Sequence, residues 1–107
     1  KFYVAKQPKD ERGVDVMISD RLSHLGYVSA HGGSAPDSTS IDAIVTYEDK
    51  WWWDITMYMI ELTIHFREPD SNMVLATAHS MRTSLVRKSP GGMVEEVLTE
   101  IFKDTKQ

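Results

Sequence analysis

There is no cysteine anywhere in the 107 residues, which excludes structural disulfides and thiolate metal sites without fixing the compartment. No apolar run approaches the ~18 residues needed to span a bilayer. An excess of positive charge is missing too: 12 Lys and Arg against 16 Asp and Glu leave a net charge of −4. That balance argues against a protein that lives on phosphate backbones, so no nucleic-acid partner is expected. Catalytic signatures are equally scarce. No serine sits in a G-x-S-x-G elbow, and Gly32-Gly33 is followed by neither the helix pattern nor the lysine of a phosphate-binding loop. His24, His31, His65 and His79 show no HxxxH or HExxH spacing. The expectation is no catalytic residue, no metal ligand and no cofactor.

What is present is ordinary globular material. Hydrophobic residues make up 41% and charged residues 26% of the chain, values that suit a folded domain. A chain of this length buries roughly 65% of its unfolded surface, enough to fold without staples, and has room for one core, so residues 1–107 are read as a single domain. The chain opens at Lys1 with neither a methionine nor a signal peptide, as a mature or trimmed chain would. The lack of targeting residues therefore says little about location.

Residues 56–86 organise the rest. Tyr58, Ile60, Leu62, Ile64 and Phe66 alternate with Met59, Glu61, Thr63, His65 and Arg67, the period-2 signature of a strand with one buried face. Glu68-Pro69-Asp70-Ser71-Asn72 is turn chemistry, and a second strand runs from Met73 to about Val86. Its register stays open: either Leu75, Thr77, His79 and Met81 share the face of Phe66, or a one-residue slip substitutes Val74, Ala76, Ala78 and Ser80.

Around this hairpin, Phe2–Ala5 reads as a first strand. Val14, Met17, Ile18, Leu22 and Leu25 form a helical stripe with Asp15 largely off it, and Asp10 or Glu11 is placed to cap that helix. Gly26 ends it. Tyr27–Ala30 reads as a second strand, His31–Ser40 as a loop, and Ile41–Tyr47 as a third strand followed by solvated charge at Glu48-Asp49-Lys50. Ser89-Pro90 opens a last helix whose apolar stripe is Met93, Val94, Val97, Leu98, Ile101 and Phe102, with Glu95, Glu96 and Glu100 facing away. The order β-α-β-β-β-β-α predicts an α/β (α+β) two-layer sandwich: a mainly antiparallel sheet of four to five strands with two helices on one face. The sheet's other face then lacks a cover within the chain, so it must be polar or meet a partner.

That open face is the candidate site. It carries Met59, Glu61, His65 and Arg67, with Trp51, Trp52 and Trp53 just upstream. Three consecutive tryptophans in a strand cannot all point inward; one or two can plug the core while another offers an exposed indole to a partner. Glu61 and His65 lie roughly 13 Å apart along a strand, too far for an acid/base dyad.

The run Asp42-Ala43-Ile44-Val45-Thr46-Tyr47, then Asp49, Trp51, Trp53-Asp54 and Met57-Tyr58, resembles small bacterial envelope lipoproteins of an uncharacterised family, as do the hairpin, Ser89-Pro90 and the last helix. A looser similarity extends to the curli-secretion lipoprotein and to lipoprotein activators of penicillin-binding proteins. The resemblance covers nearly the whole chain, although the lipid-bearing cysteine of those proteins is not in it. It implies a non-enzymatic periplasmic domain, tethered to the outer membrane only where such a lipid anchor is present. Its role would be protein interaction or assembly, the partner being an envelope protein or a second copy. The alternative reading is a small-ligand-binding or hydrolytic domain with its site near His65 and the Gly32–Ser40 loop.

Overall fold

The alternating stretch becomes the centre of a five-stranded mixed sheet with spatial order β2-β1-β3-β4-β5. A computed structural model describes residues 1–8, 10, 12–33, 41–54, 56–82 and 88–105. The elements are β1 (Phe2–Ala5), α1 (Val14–His24), β2 (Ser29–Gly32), β3 (Ala43–Asp54), β4 (Thr56–Arg67), β5 (Val74–Met81) and α2 (Pro90–Thr105). β1 pairs in parallel with both β2 and β3, while β3-β4 and β4-β5 are antiparallel. The expected α+β sandwich with a mainly antiparallel sheet is therefore correct in kind, and the sheet is mixed because β1 pairs in parallel on both sides.

Both helices cover one face. Val14, Ile18 and Leu22 of α1 and Met93, Val94, Val97, Leu98 and Ile101 of α2 close a core over Val4, Val45, Ile64 and Ala78. Phe102 adds an aromatic corner, stacked on Tyr27 and edge-on to Phe66. Ser89 caps α2 by accepting from the Gly92 N–H at 3.1 Å. Gly26, at φ +96°, ends α1 as expected. Leu25, read as part of the stripe, falls one residue past α1 and is exposed.

Four local expectations need correction. β2 runs from Ser29 to Gly32 rather than from Tyr27 to Ala30: Tyr27 is held at the helix end by its N–H to Leu22 O, while His31 and Gly32, read as loop, pair with Val4 and Ala5, and residues 34–40 of that loop lie outside the described residues. Glu48, Asp49 and Lys50 do not end a strand: they pair with Thr63, Leu62 and Glu61, and β3 runs on through Trp51–Trp53 to Asp54. Asp15, placed off the stripe, is buried at 3% exposure. The fourth concerns β4. Lys50 pairs with Glu61 but Trp51 pairs with Met59, so Ile60 is the extra residue of a bulge. Below that bulge the faces exchange, and Met59 turns into the core at 0% exposure.

A second bulge settles the return strand. Arg67 pairs with Val74 and Phe66 with Ala76, which turns Ala76, Ala78 and Ser80 inward and leaves Thr77, His79 and Met81 outside. The turn between the strands uses Asn72 at φ 63°, a left-handed position that asparagine tolerates. The expected extension of this strand toward Val86 lies, from residue 83 on, outside the described residues.

At the far edge, Gly32 has φ +156°, and a Cβ placed on it would lie 2.5 Å from the Tyr3 hydroxyl. Gly32→Ala is expected to lower stability by about 1–2 kcal/mol in urea melts. In a Tyr3→Phe background the clash disappears and only the backbone strain remains, so the same substitution should cost less. An equal cost in both backgrounds would refute the contact.

Candidate functional site

The face of the sheet that neither helix covers is a grid set by strand register. Its successive rows are Ile44–Arg67–Val74, Thr46–His65–Thr77, Glu48–Thr63–His79 and Lys50–Glu61–Met81. Arg67 is held in place by Nε donating to Thr46 Oγ1 at 3.1 Å and a terminal N–H donating to Asn72 O at 3.3 Å. His65 Nδ1 and Thr77 Oγ1 share a 2.7 Å hydrogen bond. Glu61 pairs with Lys50 at 3.3 Å. His65 and Glu61 are thus each engaged across the sheet, with different partners.

The tryptophans separate by the alternation of β3. Trp51 shares the inward side with Asp49 and packs on the core; its Nε1–H donates to Asp49 Oδ2 at 2.6 Å, and the Arg12 guanidinium lies 4.2 Å from the ring centroid. Trp52 points the other way and stays 62% exposed. The side chain of Trp53 lies outside the described residues. Beside Trp52 the bulge opens a mainly apolar cleft of about 400 Å³, lined by Lys50, Trp51, Trp52, Ile60, Glu61 and Met81. Of the seven candidate residues, Trp51, Trp52 and Glu61 therefore meet at one place, and His65 and Arg67 lie farther along the same face. Met59 does not belong to the surface: the bulge has taken it into the core, where no partner reaches it.

No protein-family model and no curated protein matches this sequence. Among solved structures, the PelC dodecamer from Paraburkholderia phytofirmans matches with a TM-score of 0.61 at 12% identity, covering 94% of this chain and 83% of that one. A point variant of it, also a dodecamer, matches with a TM-score of 0.60 at 10% identity, covering 95% and 84%. The fold is similar to that of PelC. At this identity the likeness is one of fold alone.

Three polar clusters lie on the helical side, and sequence reading found only part of them. Asp10, expected as a cap, accepts from the N–H groups of Arg12 and Gly13 through Oδ1 (2.8 and 3.0 Å) and of Val14 and Asp15 through Oδ2 (2.9 and 3.3 Å). Oδ2 also accepts from the Tyr47 hydroxyl at 2.6 Å. Burial alone would push this carboxyl up, but the Tyr47 hydroxyl and the N–H groups outweigh it and hold it below the usual aspartate range. The same burial and the same carboxylate push the Tyr47 phenol up. Glu96, read as facing away from the stripe, is a hub that accepts from Ser80, Arg82 and Lys88, the last at 3.0 Å. The Ser80 and Lys88 hydrogen bonds, with the charge of Arg82, pull its carboxyl down. Finally, buried Asp15 lies 3.3 Å from Nδ1 of half-exposed His31 on β2. No sequence spacing marks that pair, because parallel β1-β2 pairing brings residue 31 back over the start of α1. Among the described residues no group of three or more His, Asp or Glu is placed to hold a metal ion.

Proposed function

We propose that this chain is a non-enzymatic assembly module of the bacterial cell envelope, one whose copies associate and whose open sheet face is offered to a protein partner. The observation that carries this reading is the distribution of apolar side chains. The core is closed by residues of both helices and all the central strands, yet Trp52, Met73, Val74, Leu75 and Met81 stay exposed on the open face and its β5 edge. Isolated exposed apolar residues are normal, but Trp52 and Met81 flank the cleft and Met73, Val74 and Leu75 are consecutive at the other end of β5, and such groups cost solubility and favour contact with another chain. The likeness to PelC, whose solved form is a dodecamer, supports self-association as a property of the fold. The resemblance to envelope lipoproteins supports a periplasmic location, with a lipid anchor supplied from outside these residues. The paired state of His65 and Glu61 gives the small-ligand or hydrolytic alternative no added weight.

The test is sedimentation velocity across a concentration series, joined to crosslinking in envelope extracts with wild type and Trp52→Ala. Wild type is expected to show concentration-dependent association. Trp52→Ala is expected to melt within about 0.5 kcal/mol of wild type, to keep self-association and to lose the crosslinked envelope partner. A monomer at every concentration would remove the assembly reading, and an unchanged crosslink would move the partner surface away from Trp52.

A further inference from the structure

The outermost strands of the sheet are β2 and β5, and among the described residues neither has a second strand partner. Unpaired strand edges invite another chain unless they are short, charged or covered. β2 is short, at four residues, but each edge is flanked by exposed apolar side chains. Leu25, Tyr27 and Val28 lead into β2, with Val28 at 66% exposure, and Met73, Val74 and Leu75 stand at the start of β5, with Leu75 at 55%.

These two patches stand at the same height. Ala30 pairs with Tyr3, Tyr3 with Ile44, Ile44 with Arg67 and Arg67 with Val74, so one continuous row joins the start of β2 to the start of β5. The strand directions agree as well. β2 runs parallel to β1 and β3, and two antiparallel steps bring β5 back to that same direction. Moving a second copy along the row therefore sets its β5 edge level with, and parallel to, the β2 edge of the first, without turning it over.

Charge agrees with that placement. On the β2 side, Lys103 lies in the last turn of α2, which the stacking of Phe102 on Tyr27 brings beside the patch. On the β5 side, the hairpin turn carries Glu68 and exposed Asp70. A joint of one edge to the other brings Lys103 toward Glu68 and Asp70. A two-fold dimer through β5 alone would leave the Leu25–Val28 patch in water.

We propose that copies of this chain join head to tail, the Leu25–Val28 patch at the β2 edge of one meeting the Met73–Leu75 patch at the β5 edge of the next. This rests on the assembly reading and names its surface. Because the two patches differ, the joint is heterologous and repeats, closing into a ring if the rotation per step permits and extending as a filament otherwise.

Val28→Lys and Leu75→Lys test it, each spoiling one patch only. Both positions are more than half exposed, so melting temperatures should be unchanged; should either lysine variant fail to fold, Val28→Ser and Leu75→Ser replace the pair. In sedimentation velocity, each variant alone should be monomeric where wild type assembles. An equimolar mixture should then form a species of two copies and stop there, since it holds one intact patch of each kind. A mixture that stays monomeric while wild type assembles overturns the joint, and so does disruption by only one of the two substitutions. A wild type that never associates overturns the assembly reading itself.

Discussion

Asp10→Ala is expected to cost about 3 kcal/mol of stability, read as a fall of roughly 15 °C in melting temperature for a chain of this size. The carboxylate collects four backbone N–H groups at the start of α1 together with the Tyr47 hydroxyl of β3. Losing a helix cap costs ~1 kcal/mol, and leaving a buried hydroxyl without its acceptor adds about 1–3 kcal/mol. Tyr47→Phe should cost less, about 1 kcal/mol, because Asp10 keeps its backbone donors. In the double variant the two losses should be smaller than their sum, since both remove the same bond.

The pH dependence follows from the same bonds. Asp10 in the folded chain titrates below its usual value, so its contribution is complete above the ordinary aspartate pKa near 3.9 and fades as pH falls through the lower, folded value. Tyr47 works at the other end. Its phenol is pushed up, so the folded state holds a proton that the unfolded chain releases near pH 10, and stability falls as pH rises beyond that. Urea midpoints measured between pH 2 and 5 should fall steeply for wild type and less so for Asp10→Ala. Parallel curves would show that the carboxylate does not carry the acid sensitivity.

The second large effect lies at the β4 bulge. Met59→Ala is expected to cost about 3 kcal/mol, as the removal of a fully enclosed methionine should, whereas Ile60→Ala should cost under about 1.5 kcal/mol from its half-exposed position. Strict alternation along residues 58–67 gives the reverse order, with Ile60 inside and Met59 outside. Chemical denaturation of the two variants decides between them.

Much of the candidate surface was legible, and its failures share a cause. Glu61, His65 and Arg67 stand on the open face as alternation places them, because each lies where β3 and β4 pair without slipping, whereas alternation alone leaves open which of the three tryptophans faces out. Met59 was misplaced because a bulge is a property of two strands at once: the skipped residue exists only relative to Lys50 and Trp51 on the neighbour. The return strand escaped for the same reason, its small residues Ala76, Ala78 and Ser80 being equally compatible with either face. Spacing places Asp15 and Glu96 off the apolar stripes, and only the approach of His31 makes the burial of Asp15 tolerable, while Arg82, Lys88 and Ser80 engage the partly exposed Glu96.

The amino-acid sequence by itself determined the two helices, the existence of the strands, the hairpin turn and the presence of one sheet face that neither helix covers. These follow from local periodicity, from Gly26, Asn72 and Ser89-Pro90 at the chain's bends, and from there being only two amphipathic helices to cover a sheet. Tertiary structure alone decided the parallel half of the sheet, the two bulges and the alignment of apolar patches at opposite edges. Those depend on which backbone groups hydrogen-bond across strands distant in sequence, and a side chain's own period carries no record of its neighbour's register.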